Sequence, residues 1–253
     1  MPLKGLHQAR SRAASFGACA QDYDRFRSGY RDALIQDLLS THPSDALDIG
    51  TGTGKVAAAL TARGVRVLGV DPDERMATVA RARGLDVEVA PFETWDSRDR
   101  RFDLITCGHA WQWIDPTIGA PKAAALLRPG GVIALFWNYH VLPESVLTDV
   151  RQTYRAHAPG LAVLGEDPTR QEDADPFTGV AALTPGETRT YQWRRSFTAY
   201  EWAGMVATFS DHLELGPARL AALQHGLRRI VQQHGGTVEA HCGTYLWSAR
   251  KVA

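Results

Sequence analysis

Leu47-Asp48-Ile49-Gly50-Thr51-Gly52-Thr53-Gly54 is the stretch on which the fold turns. Ala46-Leu47-Asp48-Ile49 reads as a short buried strand that stops at glycines. Lys55 to Arg63 reads as a helix with Val56, Ala59 and Leu60 on one face. Glycines between a strand and a helix let the backbone turn sharply and let a ligand approach it closely. Asp71 follows 21 residues after Gly50, at the end of the next apolar run, Val65-Arg66-Val67-Leu68-Gly69-Val70. A carboxylate at that place can accept hydrogen bonds from both hydroxyls of a ribose. A glycine loop alone is weak evidence, but strand, loop and acid together point to a nucleotide-like ligand.

The pattern continues outward. Asp73 or Glu74 opens a helix that runs through Ala82 and closes at Gly84. Leu85 to Ala90, Phe102 to Cys107 and Val132 to Trp137 read as three further strands. Strands alternating with helices at this spacing predict βαβ units and a parallel sheet. Beyond Trp137 the spacing predicts a helix over 144–157, a loop or irregular cap over 159–185, and a strand over 189–198. Pro217 to His234 is an amphipathic helix with Pro at its start and Gly235-Gly236 after its end, and Thr237 to Ala249 closes the sheet.

The composition narrows the partners. Hydrophobic residues at 44% and charged residues at 22% are those of an ordinary globular chain, and 253 residues suffice for a substantial core. Lys+Arg and Asp+Glu both number 28, so no excess of positive charge favours nucleic acid or an anionic membrane. Cys19, Cys107 and Cys242 are scattered without a CxxC pair or a Cys/His ligand spacing, so no disulfide framework and no metal site are expected. No apolar run approaches spanning length, and the first fifteen residues lack the apolar region of a secretory signal. A cytoplasmic protein, with a homodimer left open, is the expectation.

Two details of the loop separate the candidate ligands. The dinucleotide fingerprint has its third glycine three positions after the second, and Lys55 stands there, with the glycine displaced to Gly54. Asp48 puts a carboxylate beside the loop, which would repel a pyrophosphate but suits a ligand carrying an ammonium and a sulfonium. S-adenosylmethionine is therefore favoured over NAD, and an NAD-dependent oxidoreductase is the alternative. A non-catalytic or atypical binder of S-adenosylmethionine is the third reading.

The Asp48–Gly54 loop, Val70-Asp71-Pro72, Phe92-Glu93, Phe102-Asp103-Leu104-Ile105 and Leu127-Arg128-Pro129-Gly130-Gly131 together resemble the class I S-adenosylmethionine-dependent methyltransferases. Tyr23-Asp24-Arg25-Phe26-Arg27-Ser28-Gly29-Tyr30 and His109-Ala110-Trp111-Gln112-Trp113-Ile114-Asp115 are similar to the small-molecule branch related to trans-aconitate and ubiquinone/menaquinone enzymes. The sequence departs from that branch at Ser28-Gly29-Tyr30, where many relatives read Arg-Pro-Gly-Tyr. The resemblance implies an α/β, Rossmann-like, seven-stranded sheet in the order 3-2-1-4-5-7-6. Its last strand is antiparallel, with helices on both faces and a helical cap. It further implies a single domain over 1–253, with an N-terminal lid to about 43, a cofactor-binding core from about 44 to 138, and a C-terminal part with the cap.

Carried over by position, Gly50, Thr51 and Gly52 line the methionine part of the cofactor, with Asp48 and Cys107 nearby, and Asp71 holds the ribose. Pro72 and Met76 flank the adenine, Phe92 and Glu93 lie near its ring and amino edge, and Tyr23, Arg27 and Tyr30 belong to the lid. Arg27 is a candidate for the cofactor carboxylate. Methyl transfer is an in-line displacement that needs alignment and exclusion of water, with a base only where the acceptor must lose a proton. His109 and His140, just past the fourth and fifth strands, are the candidate bases, and core packing or acceptor positioning is the competing role of His109. Trp111, Trp113 and Tyr139 are candidate walls of a small-molecule acceptor site, with core packing again the alternative. Cys107-Gly108-His109-Ala110-Trp111 lacks the Asn/Asp-Pro-Pro-aromatic motif of amino-methylating DNA enzymes, which argues against a nucleic-acid substrate.

Overall fold

A computed structural model describes residues 5–166 and 175–252. Seven strands form one sheet in the order β3-β2-β1-β4-β5-β7-β6. They are β1 (Asp45–Ile49), β2 (Arg66–Asp71), β3 (Asp86–Val89), β4 (Phe102–Gly108), β5 (Leu127–Val141), β6 (Glu187–Thr198) and β7 (Thr237–Arg250). The first five pair in parallel, and β7 enters antiparallel between β5 and β6. Order and direction are those that the resemblance implies. Four of the five β1 residues are buried, as a central strand covered on both faces requires.

Four short helices precede the sheet: α1 (Arg10–Ala13), α2 (Ser15–Ala18), α3 (Ala20–Phe26) and α4 (Asp32–Leu39). Within the sheet α5 (Lys55–Thr61), α6 (Glu74–Arg81) and α7 (Pro116–Leu126) follow β1, β2 and β4, and α8 (Glu144–His157) follows β5. The cap adds α9 (Ala199–Val206), α10 (Ser210–Leu213) and α11 (Pro217–Gln233). Alternation along the strands divides the core. Ala46, Leu104, Ala134 and Phe136 meet Leu34, Leu38, Val56 and Leu60 on one face, while Leu47, Ile49, Ile105 and Leu135 meet Trp95, Ala123 and Leu126 on the other. A separate cluster around Trp202, Phe197, Leu227 and Ile230 knits the cap helices to β6 and β7.

Most boundaries fall within two residues of the sequence expectation. The larger difference is β5, which extends from the expected 132–137 to Leu127–Val141. Its continuation through Asn138 to Val141 is held by the antiparallel register Asn138↔Thr244 to Val141↔His241. That is a pairing between residues far apart in sequence, which local pattern does not carry. Of the irregular 159–185 segment, residues 167–174 lie outside the described residues.

Caps explain two sharp helix starts. The Asp73 carboxylate accepts from the Arg75 amide at 2.9 Å to open α6. At α9 Thr198 and Glu201 form a reciprocal capping box, Thr198 Oγ1 accepting from the Glu201 amide at 3.2 Å and the Glu201 carboxylate from the Thr198 amide at 2.9 Å. Thr198→Ala is expected to cost about 1 kcal/mol of stability, read as a lower urea midpoint at unchanged slope. An unchanged midpoint would deny the box any energetic role.

Candidate active site

The site is built where β1, β2 and β4 end. Gly50 and Thr51 donate their amides to Val70 O at 2.8 and 3.2 Å, folding the loop back over β2. Gly50 and Gly54 have φ of 63° and 81°, a left-handed region that a side chain would strain. A Cβ on Gly50 would lie 2.3 Å from the Ala110 Cβ, so the backbone there is pressed against the loop after β4.

Two buried carboxylates organise the loop from opposite sides. Asp48 accepts from Thr51 Oγ1 and Thr106 Oγ1, both at 2.7 Å, and lies behind the loop rather than in the cavity in front of it. Asp71 accepts the Gly52 amide on Oδ2 at 2.8 Å and the Asp73 amide on Oδ1 at 2.9 Å. Burial raises both carboxyls from 3.8 to about 6, against the hydrogen bonds that favour their ionised forms. Each Asp71 oxygen accepts one of these bonds and retains capacity for another.

In front of the loop lies a cavity of about 200 Å³. Gly50, Gly52, Asp71, Pro72, Met76, Phe92 and Glu93 line it. Tyr23, His109 and Trp113 also line it. Ten of the residues singled out in the sequence thus share one cavity. The others lie elsewhere. Thr51 is turned to Asp48, and Cys107, a residue of β4, is buried in the core. Trp111 is buried against Phe177, and Tyr139 lies across Gly243. His140 packs edge-on against Phe197 and Trp202. Arg27 donates from Nε to Thr208 Oγ1 at 2.8 Å and lies over the Phe209 ring, 3.4 Å from its centroid.

The structure also brings in residues that sequence reasoning missed, chiefly Arg10, Ala13, Ala14 and Phe16 from the N-terminal arm. The arm covers the cavity. Phe16 packs edge-on against both Tyr23 and Trp113, with centroids 5.9 and 5.7 Å apart. Polar contacts tie the arm down: Arg75 Nη2 to Ala14 O at 2.8 Å, Lys55 Nζ to Asp24 O at 2.7 Å, and Arg12 Nε to Ser210 Oγ at 2.9 Å. The signal in the sequence was slight. Phe16 is the one large apolar side chain between Leu6 and Tyr23.

His109 has a φ of 57°, unusual for a residue with a side chain. Its amide donates to Phe136 O at 2.9 Å and its Nε2 accepts the Asn138 amide at 2.7 Å. Burial first, then the charges of Arg27 and His140, lower its pKa from 6.5 to about 3. His140 is lowered to about 4, by burial and by Arg27 and Arg195. Between those values and 6.5 the unfolded chain binds protons that these folded imidazoles refuse, so they contribute stability that is lost as pH falls through that window. Asp48 and Asp71 act oppositely. They hold protons in the folded chain from 3.8 to about 6, so their contribution is lost as pH rises through that range. His109→Gln should therefore lose less stability than the wild type on acidification from pH 6.5 to about 4. Denaturant titrations across that range check it, and parallel curves for the two proteins would contradict the assignment.

Comparison with known proteins agrees with this geometry. Residues 47–135, the stretch from β1 to β5, match the model of a methyltransferase domain. The stretch from β1 to β5 is thus similar to a methyltransferase domain. The chain is 38% identical over 132 residues to an uncharacterized methyltransferase of Mycobacterium tuberculosis, covering 51% of this chain and 54% of the relative. It is 33% identical over 124 residues to the ubiquinone biosynthesis O-methyltransferase of Alkalilimnicola ehrlichii, covering 46% and 50%. The matches thus span about half the length of these curated relatives. In fold it resembles a putative type II methyltransferase from Anaeromyxobacter dehalogenans, with a TM-score of 0.64 and 21% identity over 90% of this chain and 99% of that one. No helix among the described residues is long and apolar enough to cross a membrane.

Proposed function

We propose that the chain transfers a methyl group from S-adenosylmethionine to a small-molecule acceptor. The observation that carries this reading is Asp71, a buried carboxylate with open acceptor capacity in the same cavity as Gly50 and Gly52. The donor set fits the cofactor: an acid for the ribose diol, Met76, Pro72 and Phe92 as an apolar slot for the adenine, and Glu93 at its edge. Gly50 and Gly52 leave room beside the loop for the methionine part. Thr51, Asp48 and Cys107 support that wall from behind, and Arg27 stands at the lid as a cation for a carboxylate. Bound there, the cofactor supplies a methyl group already activated on a sulfonium. The chain's own residues align it, and Phe16, Tyr23 and Trp113 close over the cavity against water.

The NAD alternative is disfavoured by Lys55. Where the dinucleotide fold packs a glycine, this chain has a long side chain reaching to the lid at Asp24. Buried free thiols at Cys107 and Cys242 suit a reducing cytoplasm. Calorimetric titration with S-adenosylmethionine, S-adenosylhomocysteine and NAD tests the reading. Binding of the first two without NAD is the expected outcome, and binding of NAD alone would replace it with the oxidoreductase.

A further inference from the structure

We propose that Tyr154, His212 and Asp211 are positioning residues for the cavity. They form a buried chain of hydrogen bonds in the cap that presents a fixed carboxylate to Arg12 and so holds the N-terminal arm shut. For the ligand that the arm encloses, the proposal rests on the methyl-transfer reading above.

Three titratable side chains stand in line, and none of them lines the cavity. Tyr154 belongs to α8, and Asp211 and His212 to α10. Tyr154 and His212 are 2% and 1% exposed, so their polar atoms must find partners inside the protein. The Tyr154 hydroxyl lies 2.9 Å from His212 Nε2, and His212 Nδ1 lies 2.7 Å from Asp211 Oδ1. The same carboxylate oxygen accepts the His212 amide at 3.0 Å.

The proton positions follow from the partners. Burial pushes the Asp211 carboxyl up, but the hydrogen bond from His212 and the nearby Arg12 outweigh it and hold the group below its ordinary value. An ionised carboxylate can only accept, so Nδ1 carries a hydrogen toward it. Burial raises the Tyr154 hydroxyl, which therefore keeps its proton and donates it to Nε2 of the neutral ring. Tyr154 thus selects the tautomer that suits Asp211. The other tautomer would aim a bare nitrogen at the carboxylate.

The chain ends at the arm. With Oδ1 engaged twice, Asp211 offers Oδ2 to Arg12, whose Nη2 lies 3.6 Å away. Arg12 Nε donates to Ser210 Oγ at 2.9 Å, so neighbouring residues of α10 hold one guanidinium. That guanidinium also lies over Trp113, 5.9 Å from the ring centroid, and Trp113 packs against Phe16 in the cavity wall. One arginine therefore joins the cap to the aromatic rings closed over the cavity.

The other charged ties of the arm are more open to water. The side chains of Arg10 and Arg75, which reach Glu93 and Ala14 O, are 64% and 55% exposed, whereas those of Arg12 and Asp211 are each 18% exposed. Ion pairs in solvent contribute little because water screens them and the side chains lose freedom on pairing. Asp211 is less screened, and its two hydrogen bonds have already ordered it before Arg12 arrives.

The test compares the full chain with Arg12→Gln, Tyr154→Phe and the double variant. Hydrogen exchange of residues 10–18 is followed in the ligand-free proteins, and dissociation of S-adenosylhomocysteine by stopped-flow tryptophan fluorescence. Arg12→Gln should speed both roughly tenfold, and Tyr154→Phe, which deletes one oxygen and keeps the ring, roughly threefold. The double variant should be no faster than Arg12→Gln alone, since Tyr154 acts through Arg12. Arg12→Lys should recover part of the loss. A packing role for Tyr154 would lower the urea midpoint and leave exchange in the arm alone. Wild-type exchange in either single variant, effects that multiply in the double variant, or faster exchange with unchanged dissociation would each overturn the proposal. Failure of the wild type to bind S-adenosylhomocysteine would instead remove the methyl-transfer reading, and exchange in the arm would still decide whether the chain holds it.

Discussion

Asp71→Ala should weaken S-adenosylhomocysteine binding by roughly 100-fold or more, the effect of losing two hydrogen bonds to a charged group at about 1.5–3 kcal/mol each. The carboxylate does two things at once. It would take the ribose hydroxyls, and it holds the Gly52 and Asp73 amides, at 2.8 and 2.9 Å. Alanine leaves both amides without their acceptor, so the loop loses order as the ligand loses its anchor. Asp71→Asn separates the two effects, since its carbonyl oxygen keeps one amide partner while the charge is gone. Affinity should also fall in the wild type as pH drops through about 6, where the buried carboxyl takes up its proton. Calorimetry at two pH values reads both. Wild-type affinity in Asp71→Ala would mean that the ribose is held elsewhere.

Gly50→Val is the second substitution with a large expected effect, on folding and binding together. The new Cβ would start 2.3 Å from the Ala110 Cβ, and the backbone at φ 63° disfavours a branched side chain most of all. Left-handed strain of about 1–2 kcal/mol and overpacking of about 1–3 kcal/mol together predict a loss of roughly 2–5 kcal/mol. Because the pressed neighbour belongs to the loop that carries His109, relief of the clash would open the wall of the cavity and abolish S-adenosylhomocysteine binding. Gly64→Ala supplies the control. Gly64 has a φ of 88° but nothing within 4 Å of a Cβ, so it should show the strain alone and bind normally. Equal effects at the two positions would mean that the close approach at Gly50 carries no weight.

The contrast between Asp71 and Asp48 shows what was readable in advance and what was not. Both are acids at β-strand ends in an apolar pattern, and both attracted a ligand role from sequence. Only Asp71 reaches the cavity, because Thr51 and Thr106 take the Asp48 oxygens and turn that carboxylate into the brace behind the loop. Thr106 is 58 residues away in sequence, and its approach depends on β4 pairing with β1. Trp111 and Trp113 divide in the same way. They are two residues apart in one short turn, yet Trp111 is buried against Phe177 while Trp113 faces the cavity under Phe16.

The sequence by itself determined the α/β alternation, the glycine loop, the acid at the end of β2 and hence the cofactor class. Each of these is a local matter of side-chain periodicity, glycine geometry or the spacing of one βαβ unit. Tertiary structure alone decided which side chains face the cavity, how the arm from Arg10 to Tyr23 closes over them, and which lone pair of His109 is already taken. Those outcomes depend on contacts between segments far apart in the chain, and a hydrogen bond from Asn138 to His109 leaves no periodic trace in either.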